Sequence, residues 1–341
     1  MRTSSAISQR RVERDCNHDR DAKHVIACVN ESTHPGRVLP HALAIARALR
    51  LPVILLQVLE PPPTRDFRLD PIEWDIRRHE ARSALKRLAE ASATDVEIIE
   101  AEVVEGRSAE EICRRTRERP AELIVVGTHG ERGPGQYGIG DTTRHVLEEA
   151  TGPILIVPDV AVPDLVPHYR RILVPLDGSA WSESALPMAV RVARAADAEL
   201  VLVHVVPAPE LIETDPLEAE DLELRNRVVA RNARIAQAYL DRVRGYTAGQ
   251  GLRARVLTLH GDDARTSLTD LIRSERVDLV VLSARGHGGR CVSDVPYGSV
   301  AGYLVTHSPA PILVVRPTGP SKRLQLATMA AAGRLPAKPI A

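Results

Sequence analysis

The stretch LVVLSARGHGGRCVSDVPYGSVAGYLVTHSPAPILVVR, Leu279 to Arg316, divides into four pieces. An aliphatic run, Leu279 to Leu282, enters a glycine-rich loop. The loop ends at Gly298-Ser299, where an amphipathic helix begins. A second aliphatic run, Ile312 to Val315, follows Pro309 and Pro311. Strand, glycine loop, helix, strand is a layout suited to a phosphate group. Glycine lets the backbone come close, and a helix start offers unbonded N–H groups and the positive end of a dipole.

Working outward, the same order of elements occurs twice. The first pass has strands at Val25–Val29, Val53–Leu59, Val96–Val104, Leu123–Val126 and Ile154–Val157. Helices are expected at Leu39–Leu49, Ile72–Ala91, Ala109–Arg119 and Thr142–Ala150, with a glycine loop at Gly127–Gly140. The second pass has strands at Ile172–Val174, Leu200–Val206 and Arg253–Leu259, then the two runs of the opening stretch. Its helices are expected at Ser184–Ala195, Leu217 to about Tyr246, Thr266–Glu275 and after Ser299. Equivalent positions follow one another at separations that rise in a few steps. Asn30 and Asp177 are 147 apart, as are Gln57 and His204; Gly106 and Gly261 are 155 apart; Pro153 and Pro311 are 158 apart. The extra residues fall in loops and helix ends, where a repeated fold tolerates them. Alternating strands and helices imply βαβ units and a parallel sheet covered on both faces. The expected fold is therefore two tandem doubly wound α/β domains, each a five-stranded, mostly parallel sheet flanked by helices. Domain 1 is expected at 22–160 and domain 2 at 168–317, with a disordered arm at 1–21 and a flexible tail at 318–341. In such sheets ligands bind beyond the carboxyl ends of the strands. Asp177 and the 283–299 loop both fall there.

Bulk composition narrows the classes. Lys+Arg and Asp+Glu are both 45, so there is no basic excess for a general nucleic-acid binder. Aromatic residues make up 3% of the chain, with one Phe, so the core is expected to be aliphatic. The 4 cysteines, Cys16, Cys28, Cys113 and Cys291, lack metal-type spacing, and a reduced, cytoplasmic setting is expected. No apolar run is long enough for a membrane span, and the N-terminus lacks the apolar core of a signal peptide. There is no G-x4-G-K-[ST] loop, no H-E-x-x-H and no G-x-S-x-G elbow. Gly133 to Gly138 fits G-x-G-x-x-G, but it starts several residues past the strand end and has no acidic ribose partner.

These residues resemble the universal stress protein family in its tandem form, from His24 to Pro317. ILVPLDGS at Ile172–Ser179, ELVLVHVV at Glu199–Val206 and APILVV at Ala310–Val315 carry the likeness. The resemblance implies an adenine nucleotide alpha-hydrolase-like, Rossmann-like fold. It also implies ATP, with or without Mg2+, bound by a loop of the form G-x2-G-x9-G-[ST]. In the second copy Ser283 stands at the first glycine, Gly286 is the second, and eleven residues separate it from Gly298-Ser299. In the first copy Gly127, Gly130 and Gly140 keep the spacing, but Asp141 replaces the Ser/Thr and Asn30 replaces the Asp of the first strand.

Each candidate has a plainer alternative. The resemblance places Asp177 by the adenine, yet D-G also turns a chain. Val205 offers its backbone to the base edge, or is simply core. Ser299, followed by Val300, donates to a phosphate, or caps a helix. Gly286 and Gly298 admit phosphate, or only turn the loop. Arg285 and His287 read as a solvated loop. Asp141 points the other way, because a carboxylate at a helix start satisfies the N–H groups a phosphate would use and repels an anion. The expectation is an ATP-binding stress-response protein, with nucleotide bound mainly by the second domain and a degenerate first domain. The resemblance further implies pairing of the fifth strands as an internal pseudo-dimer, with a homodimer or a protein partner left open. The rival readings are a nucleotide-independent interaction module and a slow ATPase.

Overall fold

The computed structural model describes residues 23–30, 35–61, 70–92, 96, 98–118, 122–128, 138–159, 167–209, 219–261, 263–286 and 297–316. The expected arm and tail, Gly130, most of the Gly133–Gly138 run, His287 and Cys291 lie outside them. The chain divides into two compact units, 1–167 and 168–341.

Unit 1 runs β1 (Val25–Val29), α1 (Pro35–Leu49), β2 (Val53–Leu59), α2 (Pro71–Ser92), β3 (Ile98–Glu105), α3 (Ser108–Glu118), β4 (Leu123–Gly127), α4 (Asp141–Glu149) and β5 (Ile154–Val157). Its strands lie in the order β3-β2-β1-β4-β5, all parallel. Unit 2 runs β6 (Arg171–Pro175), α5 (Ala180–Glu183), α6 (Leu186–Ala196), β7 (Glu199–Val206), α7 (Ala219–Gly249), β8 (Ala254–His260), α8 (Ala264–Ser274), β9 (Leu279–Ser283), α9 (Ser299–His307) and β10 (Ile312–Val315). Its order is β8-β7-β6-β9-β10, again parallel. Strand order reverses between β1 and β4 in one unit and between β6 and β9 in the other. Those are the positions where an open α/β sheet leaves a crevice.

Strands β5, β9 and β10 are buried along their whole length, aliphatic throughout except for Ser283 at the end of β9. The helices bury one stripe each. In α7 that stripe is Ala236, Tyr239, Leu240, Val243 and Thr247. Helix ends repeat too. Arg50 after α1 and Asp197 after α6 take left-handed φ values of 53° and 50°. The next residue then closes the end, Leu51 N–H on Ala46 C=O and Ala198 N–H on Ala193 C=O, both at 2.9 Å.

Two boundaries differ from expectation for physical reasons. The helix expected from Ser184 begins earlier, as the separate turn α5. Pro187 cannot donate to the Glu183 carbonyl, so the ladder breaks between α5 and α6. Helix α1 begins at Pro35, before the expected Leu39, with Pro40 inside it at the cost of one backbone bond.

His41 of α1 is buried, and burial pulls its pKa down from 6.5 to about 4. The folded state therefore refuses a proton that the unfolded chain takes up. Stability from this residue is complete above pH 6.5, falls as pH drops through that value, and stops falling below about 4. The shift corresponds to about 3 kcal/mol. His41→Gln, which cannot titrate, is expected to lose that much less stability than the parent between pH 7 and pH 4. Urea unfolding at the two pH values measures the difference.

Candidate functional site

The crevice of unit 2 is built where β6 and β9 end. Beyond β6 the chain turns through Gly178, whose φ of +80° suits glycine. Asp177 is fixed in this turn. Its Oδ1 accepts from the Ser179 N–H at 2.9 Å and the Ser179 hydroxyl at 2.6 Å. Ser179 in turn caps α5 by accepting from the Ser182 N–H at 3.1 Å. So Asp177 does turn the chain, and its second oxygen points across the crevice. A Cβ added at Gly286 would lie 2.5 Å from Asp177 Oδ2. Gly286 is glycine because Asp177 occupies that space.

The far side of the loop returns to the same spot. Gly298 N–H donates to the Ala284 carbonyl at 2.8 Å, which closes the loop onto the end of β9. Unit 1 has the matching bond, Gly140 N–H to Thr128 carbonyl, also 2.8 Å. The two additional residues in the second loop therefore leave its closure unchanged. Gly298 has φ −69° and ψ 161°, which any residue adopts. A Cβ there would meet only ordinary contacts, 3.8 Å from Ala284 O and 4.0 Å from Gly286 N. Among the described residues nothing demands glycine at this position, and the space above it is open.

Helix α9 starts here. Its N-cap is Gly298, without a side-chain hydrogen bond, and its first intrahelical bond is Gly302 N–H to Gly298 C=O at 2.9 Å. The backbone N–H groups of Ser299, Val300 and Ala301 precede that bond and have no partner within the helix. Ser299 is thus the first helical residue and not the cap, which corrects the capping alternative. Its side chain is exposed. Ser283 is buried, and its hydroxyl is engaged inside the fold. It meets the Ser184 hydroxyl at 3.3 Å and accepts from the Arg285 N–H at 3.2 Å. The Arg285 guanidinium lies 5.7 Å over the Trp181 ring, exposed at the rim.

Val205 sits one strand away. Leu176 N–H donates to the Val203 carbonyl at 2.8 Å, and the last β6 pair is Pro175 with Val203. Backbone groups alternate sides along a strand. Val205 therefore directs its N–H and C=O to the β6 side, beyond the end of β6 and beside Asp177.

Below this crevice lies a group that the sequence reading did not find. Glu183 and Tyr239 are both buried. Burial pushes the Glu183 carboxyl up, while the neighbouring Tyr239 hydroxyl and Arg242 pull it back. The Tyr239 phenol is likewise pushed up by burial and by the Glu183 charge. Its ring meets His204 edge-on at 6.4 Å, and Arg242 lies 5.8 Å over it. Sequence spacing carries no signal for a contact between α5, β7 and α7.

The crevice of unit 1 has the same frame with other side chains. Asn30 follows β1 directly, and Asp141 is the first residue of α4. Asp141 is exposed, and the Gly140 cap makes no side-chain hydrogen bond. The expectation that this carboxylate satisfies the helix N–H groups finds no such bond among the described residues; its charge at the helix start remains. Thr143 ties α4 to β4 through the Gly127 carbonyl at 2.6 Å. Among the described residues no group of three or more His, Cys, Asp or Glu could hold a metal ion, and no helix is long and apolar enough to cross a membrane.

Comparison with known proteins agrees with this doubled architecture. The family model described as "Universal stress protein family" matches residues 22–158 and again 168–316. A universal stress protein of Mycobacterium tuberculosis is 24% identical over 302 residues, covering 86% of this chain and 96% of the relative. One from Thermus aquaticus is 31% identical over 136 residues, 40% of this chain and 98% of the relative. The crystal structure of a universal stress protein from Archaeoglobus fulgidus superposes with a TM-score of 0.60 at 18% identity, covering 87% of this chain and 99% of that one. With its two copies each matched almost end to end, the chain belongs to the universal stress protein family.

Proposed function

We propose that this protein binds ATP in its second unit and acts as a cytoplasmic stress-response regulator through that binding, not through turnover. One observation carries the reading. Asp177, Gly286, Gly298 and the first turn of α9 meet at the topological switch point, and Gly298 leaves room that no described residue uses. The phosphates would be held by the backbone N–H groups of Gly286, Ser299 and Val300 and by the Ser299 hydroxyl, close to Gly298. The base would lie between Asp177 and the backbone of Val205. Ser283 would contribute shape, since its hydroxyl is already engaged. Mg2+ would accompany the triphosphate as its counter-ion. In unit 1 the Asp141 charge at the α4 start opposes an anion, so ATP would bind there weakly or not at all.

The test is copurified nucleotide. Acid extraction of the purified protein followed by ion-exchange chromatography is expected to release about one ATP per chain. No nucleotide, together with no calorimetric heat on adding ATP and Mg2+, would overturn the proposal.

A further inference from the structure

We infer that helix α7 is a docking surface for a second copy of this chain, the two α7 helices lying antiparallel about a two-fold axis. The long helices of the two repeats differ in length. α7 has 31 residues and its counterpart α2 has 22. Their buried faces align at a separation of 155, Ala81 with Ala236 and Leu85 with Leu240. Pro71, the first residue of α2, then falls opposite Asn226. Residues 219–225 are therefore about two turns of helix that the first copy lacks.

The added turns bury nothing. The first buried residue of α7 is Ala236, so 219–235 extend about 25 Å without one. Leu222, Leu224 and Ile235 are 44%, 53% and 53% exposed. A helical segment of this length has little stability of its own in water. Three large aliphatic side chains held in water favour a partner that covers them. Leu224, Val228, Arg231 and Ile235 succeed one another by four, three and four residues. That is the spacing of a seam between two packed helices.

The charges say which partner fits. Between 219 and 235 every acid precedes every arginine: Glu220, Asp221 and Glu223, then Arg225, Arg227, Arg231 and Arg234. A parallel copy would set like charge on like. An antiparallel copy sets the acidic start of each helix on the arginine block of the other, twice by symmetry. With Leu224 against the partner's Val228, Asp221 faces the partner's Arg231 along the seam. Glu220 then flanks the partner's Arg234 on one edge of it. Near the axis Arg227 meets its own copy, and its exposure lets water and salt screen that pair. A nucleic acid or an anionic membrane would match the arginines but meet like charge at the helix start. The surface uses no residue assigned to ATP, so it stands apart from the nucleotide reading.

Sedimentation equilibrium of the full chain tests the pairing. A reversible monomer–dimer equilibrium is expected, weaker in about 500 mM than in about 50 mM NaCl. Glu220→Arg and Arg234→Glu are each expected to weaken it by roughly ten-fold, since each change turns two attractions into repulsions. The double variant, with the charges exchanged, is expected to return to within roughly three-fold of the parent. Leu224→Gln is also expected to weaken pairing by roughly ten-fold. All three positions are exposed, so the thermal midpoint of the monomer should not move. A monomer at every concentration, a dimer indifferent to these substitutions, or a double variant no better than the singles would each overturn the inference. So would flotation of a monomeric chain with phosphatidylserine–phosphatidylcholine vesicles, lost on Arg234→Glu.

Discussion

Gly298→Asp is expected to lower ATP affinity by roughly 100- to 1,000-fold while leaving the protein folded. The backbone at 298 is extended and the Cβ has room, so the substitution itself strains nothing. Aspartate is also a good N-cap, and the Gly298 cap now makes no side-chain bond. The unliganded variant should therefore be as stable as the parent, or more stable by a few tenths of a kcal/mol. Its carboxylate would take the N–H groups of the first turn of α9 and face the incoming phosphates. At close range in a partly buried site, that repulsion is on the order of a few kcal/mol, or about two to three decades of affinity. Gly140→Asp, at the same place in unit 1, should leave ATP affinity unchanged. Calorimetric titration of both variants separates the units; equal loss in both would mean that the copies are wrongly assigned.

Gly286→Ala is expected to cost both stability and binding, through one contact. The new Cβ would sit 2.5 Å from Asp177 Oδ2, closer than real Cβ atoms approach anything. The carboxylate must swing away, and it is held by two bonds from Ser179. Disturbing them should cost about 1–3 kcal/mol of stability. Displacing Asp177 from beside Val205 should weaken ATP by roughly ten-fold, the loss of one hydrogen bond's worth of contact. The cause is checked by a double-mutant cycle. With Asp177→Ala already in place, Gly286→Ala should cost almost nothing in either measurement. A full cost in that background would show that Gly286 matters for some reason other than Asp177.

Much of the fold could be read in the sequence because its signals are local. Most strands are near-continuous aliphatic runs, most helices have a one-sided stripe, and the second copy repeats the first with separations that step from 147 to 158 only at loops and helix ends. Two boundaries near the crevice turn on single backbone bonds. Pro187 splits α5 from α6, and Gly298 takes the cap position that Ser299 had seemed able to fill. The second does not follow from residue type alone, because Ser and Gly both serve as caps.

The crevice was half legible. Asp177, Gly286 and Gly298 stand together at one switch point, and Val205 turns its backbone toward them. Ser283 ends β9, and its hydroxyl faces Ser184 inside the fold. Glu183 and Tyr239 were missed because they meet only once α5 and α7 pack on the same sheet end.

A crystal of the full chain grown with a non-hydrolysable ATP analogue and Mg2+ tests the asymmetry between the units most directly. Triphosphate density against Gly298 and Ser299, with the base beside Asp177 and no nucleotide beside Asn30 and Asp141, is the expected result. Nucleotide against Asp141 with none beside Ser299 would contradict it.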